Sequence, residues 1–511
     1  MNRASPWPLW LIALWGVVAL FALAWYHGET VPQPLPDAPV SAGDPRLSCV
    51  SYSPYYRPGV TPYDPKTKIA PEWIDEDLRH LATITRCVRT YSVDQGLDQV
   101  PAIAARYGLT VWLGAWIGRD DQKNREELDR ALDLAKQHPG TVTRLIVGNE
   151  VLLRREQTPE GMAQWLARAK ARATVPVTYA DVWEFWLRYR QALLPHVDLA
   201  TIHILPYWED RPQPIEKAAE HLFLIRTMAR QVLGSIPIAI GETGWPSAGK
   251  QREGAVPSLV NQARFIRDVL SLATTFGWEV NFIESHDQPW KRASEGTVGG
   301  FWGMLDRSSA PKFPLIGPVA ERDSLLPPMT ALLVGALLLP LLARRQQPRW
   351  PLVLCGAALG FTALWQAEHA LIAYRTPLEW GVLAATGLIA LVVAAGLTTQ
   401  PNWPQEPPRP IAGAYRYLIF ALAVANVWLT VDGRYRDFAT CLYLPLALVA
   451  PLRRWPVTPD ERLWGTIALL CALFVWLREA MNGQALLWLI TTALITLPRV
   501  AGQRQASPVT P

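Results

Sequence analysis

The chain has little cysteine, and its last third has no lysine. Five cysteines in 511 residues exclude a small domain built around several disulfides. Residues 324–511 contain 14 arginines, no lysine and 8 acidic residues, a net charge of +6. The remainder holds 35 basic and 36 acidic residues, so the overall charge of +5 does not belong to it. The basic character is therefore not a nucleic-acid footprint, and no nucleic-acid partner is expected.

The sequence also lacks a metal-binding pattern. Five of the seven histidines before residue 324 fall in or near the predicted βα units from the fourth onward or just before it, and they show no ligand spacing, so we expect neither a metal nor a cofactor. They are His138, His196, His203, His221 and His286. Disorder is excluded over most of the length by 24 Trp, 15 Tyr and 12 Phe.

The N-terminal segment is apolar. Residues 7–25 carry no charge over 19 positions, which is long enough to cross a bilayer. A cleaved signal peptide is the alternative, but the run is long and lacks a clean small-residue exit site. We therefore expect a transmembrane anchor over 1–28, followed by a proline-rich linker over 29–46.

Seven further apolar runs predict an all-α polytopic membrane domain over 323–500, with a lipid bilayer as its partner and a tail over 501–511. They cover 325–343, 350–372, 378–397, 411–430, 438–452, 462–477 and 485–498. With the N-terminus inside, four arginines fall in the outer loops and ten in the inner ones, as the positive-inside rule requires. The inner ones are Arg344, Arg345, Arg349, Arg409, Arg416, Arg453, Arg454, Arg462, Arg499 and Arg504. Both termini are then cytoplasmic, and residues 29–324 lie outside.

Residues 47–322 alternate short β-rich runs with amphipathic helical stretches, which predicts an α/β fold, a (β/α)₈ TIM barrel. A doubly wound sheet is the main alternative, but no glycine-rich phosphate turn follows the first strand. The predicted strands are 47–53, 86–92, 110–117, 143–149, 175–181, 199–205, 236–241 and 279–285. Cys49 and Cys87 fall in adjacent strands, either as buried small side chains or as a disulfide in an oxidising compartment.

Two glutamates follow predicted strands directly. Glu150 follows strand four, and Glu242 follows strand seven. Either residue alone would be read as a helix cap or an ion-pair partner. Strand ends of a barrel meet at one mouth, and strands four and seven face each other across it, so both carboxyls can converge there. Facing carboxylates among aromatic residues indicate glycosidic bond chemistry.

The region from about 48 to 320 resembles glycoside hydrolase family 17, the β-1,3-glucanase family, in a bacterial, membrane-anchored form. The resemblance rests on Gly148-Asn149-Glu150-Val151, Arg89-Thr90-Tyr91-Ser92, Asp181-x-Trp183, Pro206-Tyr207, Phe282-Ile283-Glu284, Asp287-x-Pro289-Trp290-Lys291 and the long stretch Gly241-Glu242-Thr243-Gly244-Trp245-Pro246-Ser247-Ala248-Gly249. It implies a retaining double displacement with Glu242 as the nucleophile and Glu150 as the acid/base.

The resemblance also implies substrate-binding residues around the cut. They are Tyr91, Asn149, Asp181, His203, Tyr207, Trp208, Glu284, Asp287, Trp290 and Lys291. Two positions depart from the family pattern. His203 stands where many members have Asn, and Gln288 stands where many have an acid.

These expectations give a membrane-anchored enzyme that cleaves β-1,3-glucan, as polysaccharide or oligosaccharide, in the periplasm at a bacterial inner membrane. A β-1,3-glucanosyltransferase uses the same catalytic pair and stays an alternative. A non-catalytic glucan-binding membrane protein is a more remote one. The seven C-terminal spans exceed what an anchor needs, which raises a glucan synthase or an export component as a candidate partner.

Overall fold

The structure is a computed structural model, and it describes residues 7–39, 46–343, 349–400, 408–453 and 455–500. For residues 498–500 it describes the backbone but not the side chains. The predicted tail 501–511, part of the predicted linker, and Arg344, Arg345, Arg454 and Arg504 lie outside the described residues, as does the Arg499 side chain. The chain forms two compact units. One comprises 33–248 and 254–319, and the other 1–32, 249–253 and 320–511.

The first unit is a closed barrel of eight parallel strands in sequential order. The fold class predicted for this region is confirmed. The strands are β1 Cys49–Ser51, β2 Cys87–Arg89, β3 Thr110–Ala115, β4 Val142–Asn149, β5 Val177–Val182, β6 Ala200–His203, β7 Ile238–Thr243 and β8 Val280–Phe282. Each lies inside or within two residues of a predicted run, and β7 extends two residues further than predicted, so that it includes Glu242. The barrel closes where β1 pairs with β8.

Helices alternate with these strands and cover the barrel. They are α2 Pro71–Leu81, α3 Val100–Arg106, α4 Asp121–Gln137, α5 Pro159–Lys170, α6 Trp183–Leu193, α7 Ile215–Leu233 and α8 Leu259–Phe276, with a short α9 Arg292–Glu295 after β8. Their starts follow from local chemistry. The Thr158 hydroxyl accepts the Gly161 amide at the start of α5, and Pro159 supplies the fixed φ of its first residue.

The segments that enter and leave the barrel run side by side. Gln33 and Val319 exchange both backbone hydrogen bonds, at 2.8 and 3.1 Å. The wholly buried Arg267 guanidinium donates to the carbonyls of Pro36 and Pro314, at 3.2 and 2.7 Å. Both ends of this unit are thereby held together.

Cys49 and Cys87 form a disulfide between β1 and β2, with their Cα atoms 4.3 Å apart. The strand register explains the pairing. Val50 lies opposite Val88, so the residues before them also lie side by side. This decides between the two alternatives that the sequence left open.

The second unit is helical. Its helices are α1 Leu9–Thr30, α10 Leu326–Leu342, α11 Trp350–Ala373, α12 Pro377–Thr399, α13 Arg409–Asp432, α14 Thr440–Val449, α15 Pro459–Arg478 and α16 Gly483–Val500. Each predicted apolar run coincides with one of them. Among the described residues, four helical segments are long and apolar enough to cross a membrane: Leu9–Thr30, Trp350–Ala373, Pro377–Thr399 and Arg409–Tyr435. Shorter apolar helical segments cover Leu326–Leu342, Thr440–Leu452 and Gly483–Leu497.

The first helix packs into this unit and does not stand alone. Trp15 is wholly buried, and its indole N–H donates to the Leu448 carbonyl at 2.9 Å. Helices α10 and α11 approach so closely that a Cβ on Gly335 would meet the Gly356 carbonyl oxygen at 2.1 Å. Such contacts between small residues are typical of helices that associate in lipid.

Candidate active site

Glu150 and Glu242 both lie at the carboxyl-terminal ends of barrel strands. Glu150 follows β4 directly, and its amide N–H donates to the Ala180 carbonyl on β5 at 2.8 Å. Its φ of +51° lies in the left-handed region, which non-glycine residues seldom adopt and which is enriched at functional sites. Glu242 lies within β7 and is nearly buried.

The carboxylates converge as the strand positions predict. One oxygen of Glu150 and one of Glu242 lie within 4.8 Å of each other, and the His203 ring is in the same group. His203 Nδ1 is 3.1 Å from Glu150 Oε1 and 3.8 Å from Glu242 Oε2. His203 is wholly buried, so the ring lies beneath the mouth, between the carboxylates.

Glu242 is held as a carboxylate by its surroundings. Burial alone raises its pKa, but His203, Arg89, Lys291 and the Tyr91 hydroxyl together bring the pKa below its ordinary value. Tyr91 O–H donates to Glu242 Oε1 at 2.9 Å, and the Arg89 guanidinium donates to the same oxygen at 2.9 Å. Favourable charges and donors of this kind are what keep a buried carboxyl ionised.

Arg89 belongs to the motif Arg89-Thr90-Tyr91-Ser92, but its contacts with the catalytic candidates were not predicted from the sequence. Its side chain is wholly buried, and it also donates to the Gly241 carbonyl at 2.8 Å and to Asn149 Oδ1. One guanidinium thus links β2 to β4 and β7. The available signal was a charged residue inside an otherwise apolar strand, because such a residue seldom lies buried without partners.

Two predicted substrate-binding residues form a buried ion pair. Lys291 Nζ lies 2.8 Å from both carboxylate oxygens of Glu284. Burial raises the pKa of Glu284 to about 7 although Lys291 and its hydrogen bond lower it. The Lys291 charge reaches Glu242 as well. Glu295, which sequence reasoning missed, adds a half-buried carboxyl whose pKa is raised to about 7 by burial.

Asp181 lies below the mouth. Its side chain is wholly buried and accepts hydrogen bonds from the Tyr179 hydroxyl and from the Val182 amide, the latter at 2.7 Å. Burial, with a contribution from the Glu150 charge, raises the pKa of Asp181 to about 6, although the Tyr179 hydrogen bond lowers it. Asp181 is therefore electrostatically linked to the acid/base candidate.

The predicted aromatic residues divide into two groups. Tyr207 is wholly buried in an aromatic cluster, 6.0 Å from Trp302 between ring centroids. Trp208 is half-buried and stacks on the same Trp302. Trp290 meets the edge of Tyr63 at 5.3 Å, and Tyr63 is 70% exposed. Tyr63, which the sequence did not single out, makes this pair accessible.

Asp287 supports the loop after β8. Its carboxylate accepts the Gly303 amide at 2.9 Å and the Lys312 ammonium at 3.0 Å. Burial raises the pKa of Asp287, and Lys312 lowers it. Both oxygens are thus engaged within the protein.

Within the described ranges, one group of side chains has the geometry of a metal site: Glu150, His203 and Glu242. The Arg89 guanidinium, 2.9 Å from Glu242 Oε1, opposes a divalent cation there because like charges repel. The expected absence of a metal stays a prediction. The chemistry this arrangement favours is that of an ionised carboxylate facing a second carboxyl, which is the pair that glycosidic bond cleavage needs.

Comparison with known proteins agrees with this reading of the site. Residues 49–303 match the family model described as the BtgE/BtgC glycoside hydrolase domain. The protein is a glycoside hydrolase. Its barrel is a BtgE/BtgC-type glycoside hydrolase domain, and the chain is similar to β-1,3-glucan glycosidases, in agreement with the family 17-like resemblance of the sequence.

Two of the curated relatives are fungal proteins. The glucan 1,3-beta-glucosidase of Saccharomyces cerevisiae is 25% identical over 264 residues, covering 47% of this chain and 84% of the relative. That of Arthroderma benhamiae is 28% identical over 257 residues, with 47% and 82% covered. Among solved structures, an active-site mutant of the Rhizomucor miehei beta-1,3-glucanosyltransferase with laminaritriose is 23% identical, with a TM-score of 0.46, covering 54% of this chain and 98% of that one.

Proposed function

We propose that this protein is a membrane-anchored, retaining glycoside hydrolase that cleaves β-1,3-glucan outside the cytoplasm. Glu242 is the nucleophile and Glu150 the acid/base. The observation that carries the proposal is that one carboxylate oxygen of Glu242 and one of Glu150 lie within 4.8 Å of each other. Retaining enzymes need about 5–5.5 Å between the two carboxyls, whereas inverting enzymes leave about 6.5–9.5 Å for a water.

The surroundings of each carboxylate support its role. A nucleophile must be ionised, and the pKa of Glu242 is lowered by His203, Arg89 and Lys291 against the effect of burial. Glu150 has fewer donors and a partly exposed side chain, 24% accessible, so it can reach a leaving oxygen. In the first step Glu242 attacks the anomeric carbon while Glu150 protonates that oxygen. In the second, Glu150 takes a proton from the attacking water.

The substrate class and the location rest on separate observations. The relatives named glucan 1,3-beta-glucosidases support a β-1,3-linked glucan. The Cys49–Cys87 disulfide supports an oxidising compartment for the barrel. Four helical segments long enough to cross a membrane support anchoring in a bilayer. A glucan synthase or export component stays a candidate partner of the helical unit.

The test uses the full-length protein in detergent with laminari-oligosaccharides. We expect cleavage in which the first-formed product keeps the β-anomeric configuration, as read by proton NMR. Glu242→Gln and Glu150→Gln should each lose at least about 1,000-fold in kcat, because the pair acts as a unit. Glu220→Gln, on the exposed face of α7, is the matched control and should keep full activity.

The same experiment separates the alternatives. Products longer than the substrate identify a glucanosyltransferase, since a sugar hydroxyl then replaces water in the second step. Inversion at the anomeric carbon contradicts the double displacement. Undiminished product formation by Glu242→Gln contradicts the assignment of the nucleophile.

A further inference from the structure

His203 contacts both catalytic carboxylates through one nitrogen. It is the last residue of β6, in register with Glu242 on β7. Its Nδ1 lies 3.1 Å from Glu150 Oε1, within hydrogen-bond distance, and 3.8 Å from Glu242 Oε2. A small rotation of the ring or of either carboxylate exchanges one partner for the other.

The other ring nitrogen determines the tautomer. Within the described part of the chain, the buried Nε2 has no hydrogen-bond partner. It packs on Gly241, where a Cβ would lie 3.1 Å from it. A buried N–H without an acceptor is costly, so the neutral ring carries its proton on Nδ1, and the charged ring carries one there as well. In either form Nδ1–H donates towards the carboxylates.

The two carboxylates are unequally supplied with donors. Glu242 also accepts from Arg89 and Tyr91, each at 2.9 Å. Among the described residues, His203 is the side chain that hydrogen-bonds the Glu150 carboxyl. Asp181 and Glu295, which sense the Glu150 charge, are both acids whose pKa values are raised mainly by burial. Neither offers Glu150 a compensating positive charge.

We propose that His203 is a positioning residue whose Nδ1–H follows the negative charge from Glu242 to Glu150 during the reaction. The inference rests on the proposed double displacement. In the free enzyme Glu242 carries the charge and Glu150 the proton. In the glycosyl-enzyme Glu242 is an uncharged ester and Glu150 is the carboxylate, so the same N–H stabilises each group when it is ionised.

Because the two carboxylates have unequal numbers of donors, loss of His203 should slow hydrolysis of the glycosyl-enzyme more than its formation. Without His203, Glu242 keeps two strong donors and still attacks. Glu150 loses its side-chain donor at the stage where it must be an ionised base. The glycosyl-enzyme should therefore accumulate.

The test uses full-length protein and a nitrophenyl β-laminaribioside, whose leaving group departs without protonation. His203→Phe keeps the ring volume but removes the donor. We expect kcat to fall about 10- to 100-fold, the loss of one hydrogen bond to a charged group. We expect KM to fall with it, kcat/KM to change less than about threefold, and a covalent adduct on Glu242 by intact-protein mass spectrometry.

Two further variants separate positioning from folding. His203→Asn places its amide N–H near the Nδ1 position and should stay within about threefold of the wild-type kcat. His203→Gln places the amide near Nε2, away from the carboxylates, and should behave like Phe, so Asn against Gln carries the test even if Phe unfolds the barrel.

The proposal fails if Asn and Gln give the same kcat, or if kcat and kcat/KM fall together without an adduct. A wild-type enzyme that does not cleave the laminaribioside contradicts the proposed function itself, whereas normal wild-type turnover with an unaffected His203→Gln contradicts only this inference.

Discussion

Arg89 shows how much of this site depends on one residue that is buried beneath the mouth. Its guanidinium is wholly buried and reaches the nucleophile candidate, its backbone neighbour Gly241 and Asn149. The planar arginine guanidinium, with several N–H donors in fixed directions, suits three acceptors on two strands better than the ammonium of a flexible lysine would. The residue fixes both the position and the charge of Glu242.

Removal of this charge should change the pH profile of the enzyme. Arg89 lowers the pKa of Glu242, so Arg89→Gln raises that pKa and leaves less ionised nucleophile in acid. The acidic limb of kcat/KM on a laminari-oligosaccharide should move up by on the order of one pH unit. An unmoved limb would contradict the role given to Arg89.

Arg144→Gln is the matched control. Arg144 is also a buried barrel arginine in an ion pair, 2.6 Å from Glu279, and it stacks on Trp112. The substitution should cost stability without moving the acidic limb. Thermal unfolding of both variants separates loss of fold from loss of charge.

At the scale of strands and helices, the sequence supports the architecture well. The alternation of β-rich and amphipathic runs identifies all eight strands, because each strand is buried on both faces and each helix on one. Most of the observed strands are shorter than the predicted runs, whereas β4 is one residue longer and β7 has the same length. β1 covers Cys49–Ser51, although Tyr52 still donates to the Arg89 carbonyl at 2.7 Å.

What the sequence does not give are the distances inside the barrel. Strand order predicts that Glu150 and Glu242 converge, but their separation depends on register and on the φ of Glu150. His203 was predicted at a sugar subsite, and its place between the carboxylates follows from its register with Glu242. Disulfide formation likewise depends on which residues of β1 and β2 lie opposite each other.

The disulfide between β1 and β2 should contribute measurably to stability. It closes a sequence separation of 38 residues, for which the loss of unfolded-chain entropy corresponds to about 4 kcal/mol. The Cys49→Ala/Cys87→Ala double variant should therefore have a Tm lower by roughly 10 °C, at about 2–4 °C per kcal/mol. The measurement is thermal unfolding of the full-length protein, with and without reductant.

Cys441→Ala supplies the control, because Cys441 is a buried cysteine outside the disulfide. Reductant should lower the Tm of this variant and of the wild type but leave the double variant unchanged. A wild-type Tm that does not respond to reductant after full reduction would show that the bond is not stabilising.

At the scale of the whole molecule, a catalytic barrel and an apolar helical unit share one chain. The near-neutral charge of the part before residue 324 and the arginine excess after it are properties of different units. We therefore expect the positive charge to set the orientation of the predicted spans and not to bind substrate.

Orientation can be tested with single cysteines introduced after replacement of Cys355, Cys441 and Cys471 by alanine. In spheroplasts of a bacterial host, a cysteine at Glu220 on the barrel should react with a membrane-impermeant maleimide. A cysteine at Arg462, in a predicted inner loop, should react only after permeabilisation. The reverse pattern would place the barrel inside, and retained activity would confirm that both variants fold.

The pairing of Gln33 with Val319 has a practical consequence. Because the incoming and outgoing segments pair with each other and both accept hydrogen bonds from Arg267, the two ends of the barrel unit are neighbours. A fragment of residues 46–322 would lack the incoming segment, whereas a fragment of residues 33–319 keeps both paired segments. A short linker between residues 319 and 33 should therefore permit circular permutants with new termini in exposed turns between helices and strands.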